Sequence, residues 1–130
     1  MSKVVIDTDV LIDVLRGRDL ARDFLLDATR HAVPCCSVIS VAEIHAGMRP
    51  EETEVTGRLL DGLVILPVTR PIAELAGHFK WRSKNRKLEL VDCLIAATAV
   101  VETALLATAN VKDYPMGEVS LLPMRSRLAD

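Results

Sequence analysis

Val4-Val5-Ile6-Asp7-Thr8-Asp9-Val10-Leu11-Ile12-Asp13 reads as a buried strand that stops at an acid and turns at once into a helix. The strand candidate, Lys3 to Ile6, lacks the apolar–polar alternation of a strand with one wet face, so both of its faces are expected to be covered. A helix is expected from about Thr8 to Leu15, with Gly17 well placed to end it. Strand and helix patterns alternate downstream, without an internal repeat. Apolar strand candidates run from Cys35 to Ile39, after a chain break at Pro34, and then from Leu63 to Leu66, Leu105 to Ala107 and Val119 to Leu121. Between them lie helical patterns from about Asp19 to Arg30, from a Ser40 cap to Gly47, from Pro50 to Leu60, from Thr69 or Arg70 to Lys84, and from Val91 to Thr103. Strands alternating with helices describe an α/β fold whose central parallel sheet is covered on both faces. In such a sheet ligands sit beyond the carboxyl ends of the strands, near the point where strand order reverses.

Composition narrows the possibilities. A length of 130 residues, half of them hydrophobic, fits one domain spanning 1–130 with a single core. The aromatics are Phe24, Phe79, Trp81 and Tyr114, too few for a platform on which single-stranded bases stack. A formal net charge of -2 gives no global attraction to nucleic acid. One local run departs from this balance: Lys80, Arg82, Lys84, Arg86 and Lys87 contain no acid among them. Such a run is either a solvated helix face or a phosphate-binding stripe.

The cysteines Cys35, Cys36 and Cys93 have no framework spacing. Adjacent Cys35 and Cys36 would face opposite sides of a strand, which makes a bridge between them unfavourable. A reduced, cytoplasmic setting is expected, with no signal-peptide pattern and no stretch long enough to span a bilayer.

Four acids stand where strand ends are expected to meet. Asp7 closes the first strand, Glu43 follows the second, Asp92 opens an apolar helix, and Asp113 follows the fourth strand. Each has a bland explanation. Asp7 would cap a helix, Glu43 would complete a capping box with Ser40, and Asp92 would favour the positive end of its helix dipole. Asp9 stands as a secondary candidate and Asp13 as a surface residue. Brought together, however, such acids repel one another unless a divalent cation offsets their charge. His31, His45 and His78 show no zinc spacing, and there is neither a phosphate-binding glycine loop nor a nucleophile elbow.

Four segments in order, VVIDTDVLIDVLRG, SVISVAEIHAG, LELVDCLIAATA and ATANVKDYP, resemble the PIN-domain ribonucleases, and within them the VapC-type toxins of bacterial toxin–antitoxin pairs. The resemblance covers nearly the whole chain. It implies a three-layer α/β/α sandwich and Mg²⁺- or Mn²⁺-dependent endoribonuclease activity on RNA. It also implies a homodimer and a cognate antitoxin. The family's acidic positions carry over to Asp7, Glu43 and Asp92. The fourth falls at Asn110, where many relatives have an acid, so Asp113 becomes the alternative source of charge. Thr8 and Thr108 match hydroxyl positions near the metal. Lys84, Arg86 and Lys87 are the candidates for substrate phosphates.

Two other readings remain open at the level of sequence. One is a binding module that kept the fold and lost its chemistry, which Asn110 favours. The other is a haloacid-dehalogenase-type phosphatase, with Asp7 as nucleophile and Asp9 as general acid.

Overall fold

The computed structural model describes residues 2–83 and 87–125. Along the chain run β1 (Lys3–Ile6), α1 (Thr8–Leu15), α2 (Asp19–Ala28), β2 (Val33–Ser37), α3 (Val38–Gly47), α4 (Thr53–Asp61), β3 (Val64–Leu66), α5 (Arg70–Arg82), α6 (Leu90–Val101), β4 (Leu105–Thr108) and β5 (Leu121–Pro123). Short 3₁₀ turns at Pro50–Glu52 and Val111–Asp113 precede α4 and follow β4. The strands form one 5-stranded sheet in the order β3-β2-β1-β4-β5, and every pairing is parallel. Strand order reverses beside β1, because the chain first builds outward through β2 and β3, then returns to place β4 on the other side. The end of β1 and the end of β4 therefore flank the switch point.

Alternate residues of each central strand enter opposite layers of core. Val5 and Cys35 pack with Ile72, Phe79 and the buried face of α6. Val4, Ile6 and Cys36 pack on the other side with Val10, Leu11, Ile44 and Leu60. This is the three-layer α/β/α arrangement, and it explains why the strands carry no polar alternation. Cys35 and Cys36 do face opposite layers, and all three cysteines are free and buried. Phe79 is among the largest fully buried side chains. Phe79→Ala is expected to lower stability by about 3–5 kcal/mol, the cost of a large cavity in a close-packed core, read as a reduced midpoint in urea unfolding. No helix among the described residues is long and apolar enough to cross a membrane.

Several boundaries differ from those expected. β2 begins before Pro34 and ends at Ser37, instead of running from Cys35 to Ile39. Pro34 is tolerated within it for a geometric reason. Val33 N–H donates to Ser2 O at 2.7 Å, so the nitrogen of the next residue points away from β1. On that side, pairing with β3 starts only at Cys35–Val64, and no ladder bond is lost. The N-cap of α3 is Ser37, whose Oγ accepts from Ile39 N at 3.1 Å. Ser40 is inside the helix, so Glu43 is not the acid of a capping box. β5 begins at Leu121, and Val119 is instead a buried residue ahead of it. α6 stops at Val101 because Thr103 adopts φ 54°, a left-handed conformation that reverses the chain.

Candidate active site

Asp7 is the N-cap of α1, extended at φ -68° and ψ 151°. Its Oδ1 accepts from Thr8 N at 2.8 Å and its Oδ2 from the Thr108 hydroxyl at 2.8 Å. The end of β1 and the end of β4 are thus joined through one buried carboxylate. Burial pushes the Asp7 carboxyl above its ordinary range, while the hydrogen bonds from Thr108 and Thr8, and the nearby Tyr114 hydroxyl, oppose that shift.

Thr8 carries the connection to α3. Its hydroxyl lies 2.6 Å from Glu43 Oε1 and 2.8 Å from Ser40 Oγ. A hydroxyl has one proton, so donation to the carboxylate leaves Ser40 as the donor to Thr8. Ser40 is completely buried, and its role here replaces the capping role that the sequence suggested.

Asp92 sits in the first turn of α6, whose N-terminus has no side-chain cap. Its carboxyl is pushed up to about 6, by burial first and then by the charges of Asp113, Asp7, Glu43 and Glu89. That pattern of repulsion is the physical signature of convergence: four elements deliver acids to one edge of the sheet. Asp113, at the end of its 3₁₀ turn, shares with Asp92 an open cleft of 410 Å³ lined also by Lys87, Leu88, Glu89 and Lys112.

Asp9, the secondary candidate of the sequence, lies close to Asp7, which is extended and just outside the helix. Asp9 is pushed up to about 7, by burial and then by the charge of Asp7. Its Oδ1 accepts from Val10 N at 2.7 Å, and its Oδ2 accepts from Asn110 Nδ2. Asn110 N–H in turn donates to Thr108 Oγ1 at 3.0 Å. Asn110 thus ties the two acidic groups together where a further acid would repel them. Asn110→Asp is expected to lower the metal-free melting temperature by roughly 4 °C, equivalent to about 1 kcal/mol, and Mn²⁺ is expected to restore it. Differential scanning calorimetry with and without the ion measures both. Asp13, in contrast, pairs with Arg18 at 2.9 Å and plays no part in the cluster.

The basic run is only partly available to a ligand. Lys80 Nζ is bonded to the Leu88 carbonyl, and Arg82 pairs with both carboxylate oxygens of Glu118 at 2.7 and 2.8 Å. Lys87 is exposed and lines the acidic cleft, while Lys84 and Arg86 lie outside the described residues. Lys112 is a second cation at the cleft that the sequence did not single out, since a lone lysine in a loop gives no signal. Tyr114 is another residue not singled out, since a single tyrosine beside a loop acid gives no signal of its own.

Among the described residues, none of Asp7, Asp9, Glu43, Asp92 and Asp113 forms an ion pair with Lys or Arg. Nor do three His, Cys, Asp or Glu side chains stand there as a preformed metal-binding set. The donors are all oxygens, they are uncompensated, and they are spread along a cleft. That suits a hard divalent cation which keeps several of its waters and does not suit zinc.

Comparison with known proteins gives a consistent result. The family model for the PIN domain matches residues 4–112. The chain is 42% identical over 117 residues to Ribonuclease VapC10 of Mycobacterium tuberculosis, covering 88% of each chain. Among solved structures, a toxin–antitoxin complex from Klebsiella pneumoniae aligns with a TM-score of 0.78 at 25% identity, over 95% of this chain and 99% of that one. The fold also matches VapBC2 from Rickettsia felis, solved bound to a DNA fragment from their promoter. That TM-score is 0.82 at 19% identity, with coverage of 94% and 98%.

Proposed function

The chain belongs to the PIN-domain family, and we propose that it is a metal-dependent endoribonuclease toxin, a single domain over 1–130, that hydrolyses RNA phosphodiester bonds and is neutralised by a cognate antitoxin. The observation that carries this reading is the set of acids around Asp92, which repel one another and, among the described residues, form no ion pair with lysine or arginine. The phosphatase alternative falls, because the family that matches is a different one.

In this reading Asp7 and Asp92 hold Mg²⁺ or Mn²⁺, and Glu43 and Asp113 orient its waters. Once bound, the ion supplies positive charge for the phosphate oxygens and lowers the pKa of water. The chain's own groups do the remaining work. Thr108 and Thr8 N–H hold the Asp7 carboxylate in one orientation. Thr8 restrains Glu43 through Oε1, which leaves its other oxygen free to receive a proton from an attacking water. Lys87, with Lys84 and Arg86, draws RNA phosphates towards the cleft. The exposed Leu20 and Leu26 of α2, 40% and 55% accessible, suit a surface for the antitoxin or for a second copy in a homodimer.

The test is cleavage of labelled RNAs by the purified, antitoxin-free protein with Mg²⁺, with Mn²⁺ and with EDTA. Cleavage that requires metal supports the proposal. Activity that persists in EDTA overturns it. A protein that neither cleaves RNA nor is stabilised by either ion is the degenerate binding module, the reading that Asn110 favours.

A further inference from the structure

Tyr114 follows Asp113 in sequence, yet it turns inward. It is 3% exposed and packs in the core layer formed with α5 and α6. Its hydroxyl is fully buried and makes no well-formed hydrogen bond. Burying an unsatisfied hydroxyl is costly, and phenylalanine would fill the same space without that cost. The oxygen is therefore the informative atom.

The surroundings of that oxygen are acidic. A phenol is a neutral O–H donor at neutral pH, and the charges of Asp7 and Asp92 both act on this one. It also acts on Asp7, favouring the charged carboxylate. The O–H is thus within electrostatic reach of Asp7, although it forms no hydrogen bond there or elsewhere among the described residues. Asp7 has room for the interaction. Each of its oxygens accepts one hydrogen bond, 2.8 Å from Thr8 N and 2.8 Å from Thr108 Oγ1, and each oxygen offers two acceptor sites.

We propose that Tyr114 is a positioning residue that acts through Asp7, its buried hydroxyl completing the set of donors that orients the Asp7 carboxylate for a divalent cation. The proposal rests on the reading of Asp7 as a metal-holding group. It differs from a purely structural role in a measurable way. If the ring only fills the core, removing the hydroxyl relieves a buried unsatisfied group and leaves metal binding unchanged. If the hydroxyl positions Asp7, removing it weakens metal binding although the fold is intact.

The experiment is calorimetric titration of Mn²⁺ into the full chain, wild type and Tyr114→Phe, together with steady-state RNA cleavage that separates kcat from KM. Tyr114→Phe is expected to melt no lower than wild type without metal. It is expected to bind Mn²⁺ about tenfold more weakly, on the scale of losing an outer partner of a metal ligand. kcat should fall while KM for RNA is retained. Unchanged Mn²⁺ affinity and kcat overturn the role of Tyr114. Failure of the wild type itself to bind Mn²⁺ overturns the metal reading beneath it, so the two failures are distinguishable. A second measurement needs no variant. Tyr114 is the only tyrosine, so the ultraviolet resonance Raman signal of the phenol reports on this hydroxyl alone. A shift towards a stronger donor on addition of Mn²⁺ is expected, and no shift counts against the proposal.

Discussion

Asp92→Asn is expected to reduce metal-dependent RNA cleavage by on the order of 10²–10³-fold, the scale at which loss of one preorganised electrostatic group is felt, while leaving a folded protein. The reason lies in the two demands placed on this residue. In the absence of metal its carboxyl is pushed up to about 6, by burial and by the acids around it, so charge at this position opposes folding. In the presence of metal the same charge is what the ion is held by. The amide keeps the shape and removes the charge, so stability and activity should move in opposite directions. The variant should melt above wild type in EDTA at neutral pH, and it should cleave far less RNA with Mn²⁺. A single assay series, melting curves and cleavage rates on the same preparations, decides the matter. If cleavage persists near the wild-type rate, Asp92 is not in the catalytic machinery.

The second expectation concerns pH, and its sign follows from the direction of the shifts. Asp92 rises from an ordinary value of 3.8 to about 6, and Asp9 from 3.8 to about 7. A carboxyl with a raised folded-state pKa binds its proton more tightly in the folded chain. Its contribution to stability is fully present below about pH 3.8 and is lost as pH rises through the folded-state value. The metal-free protein should therefore lose stability from these two groups between about pH 4 and pH 7. Asp92→Asn should remove part of that slope. Mn²⁺ should reverse it at the upper end, where the acids are charged. At a free ion concentration 100 times Kd the gain is about 2.7 kcal/mol, roughly 10 °C in Tm for a chain of this size. Melting curves from pH 4 to pH 8, with EDTA or Mn²⁺, measure both effects. A Mn²⁺-induced rise that is as large at pH 4 as at pH 8 counts against carboxylate binding.

The candidate site makes an economical use of a parallel sheet. Its switch point beside β1 brings together the ends of β1 and β4, and the flanking helices α3 and α6 add their acids from either side. Thr8 and Thr108 then act as bridges, one to Glu43 and one to Asp7. The core beneath is largely apolar, so the acids face a low-dielectric layer from below. That is why burial leads the causes of the shifts at Asp7, Asp9 and Asp92.

Read alone, the sequence determined the fold class and the chain positions of the acids. Apolar strands without alternation left no alternative to a sheet covered on both sides, because a strand with one wet face cannot hide Val4, Val5 and Ile6 together. The acids at strand ends followed from the same pattern, and the four ordered segments pointed to the family. What only the tertiary structure decided was how the side chains combine. Ser37 and not Ser40 caps α3, since a cap depends on where the strand lets go of the chain. Asp9 joins the cluster because Asp7 is extended, a backbone state that residue spacing does not encode. The hydroxyl of Tyr114 meets acids from α1 and α6 only when distant segments pack. Local hydrophobic pattern is a property of neighbours in sequence, whereas electrostatic environment is a property of neighbours in space.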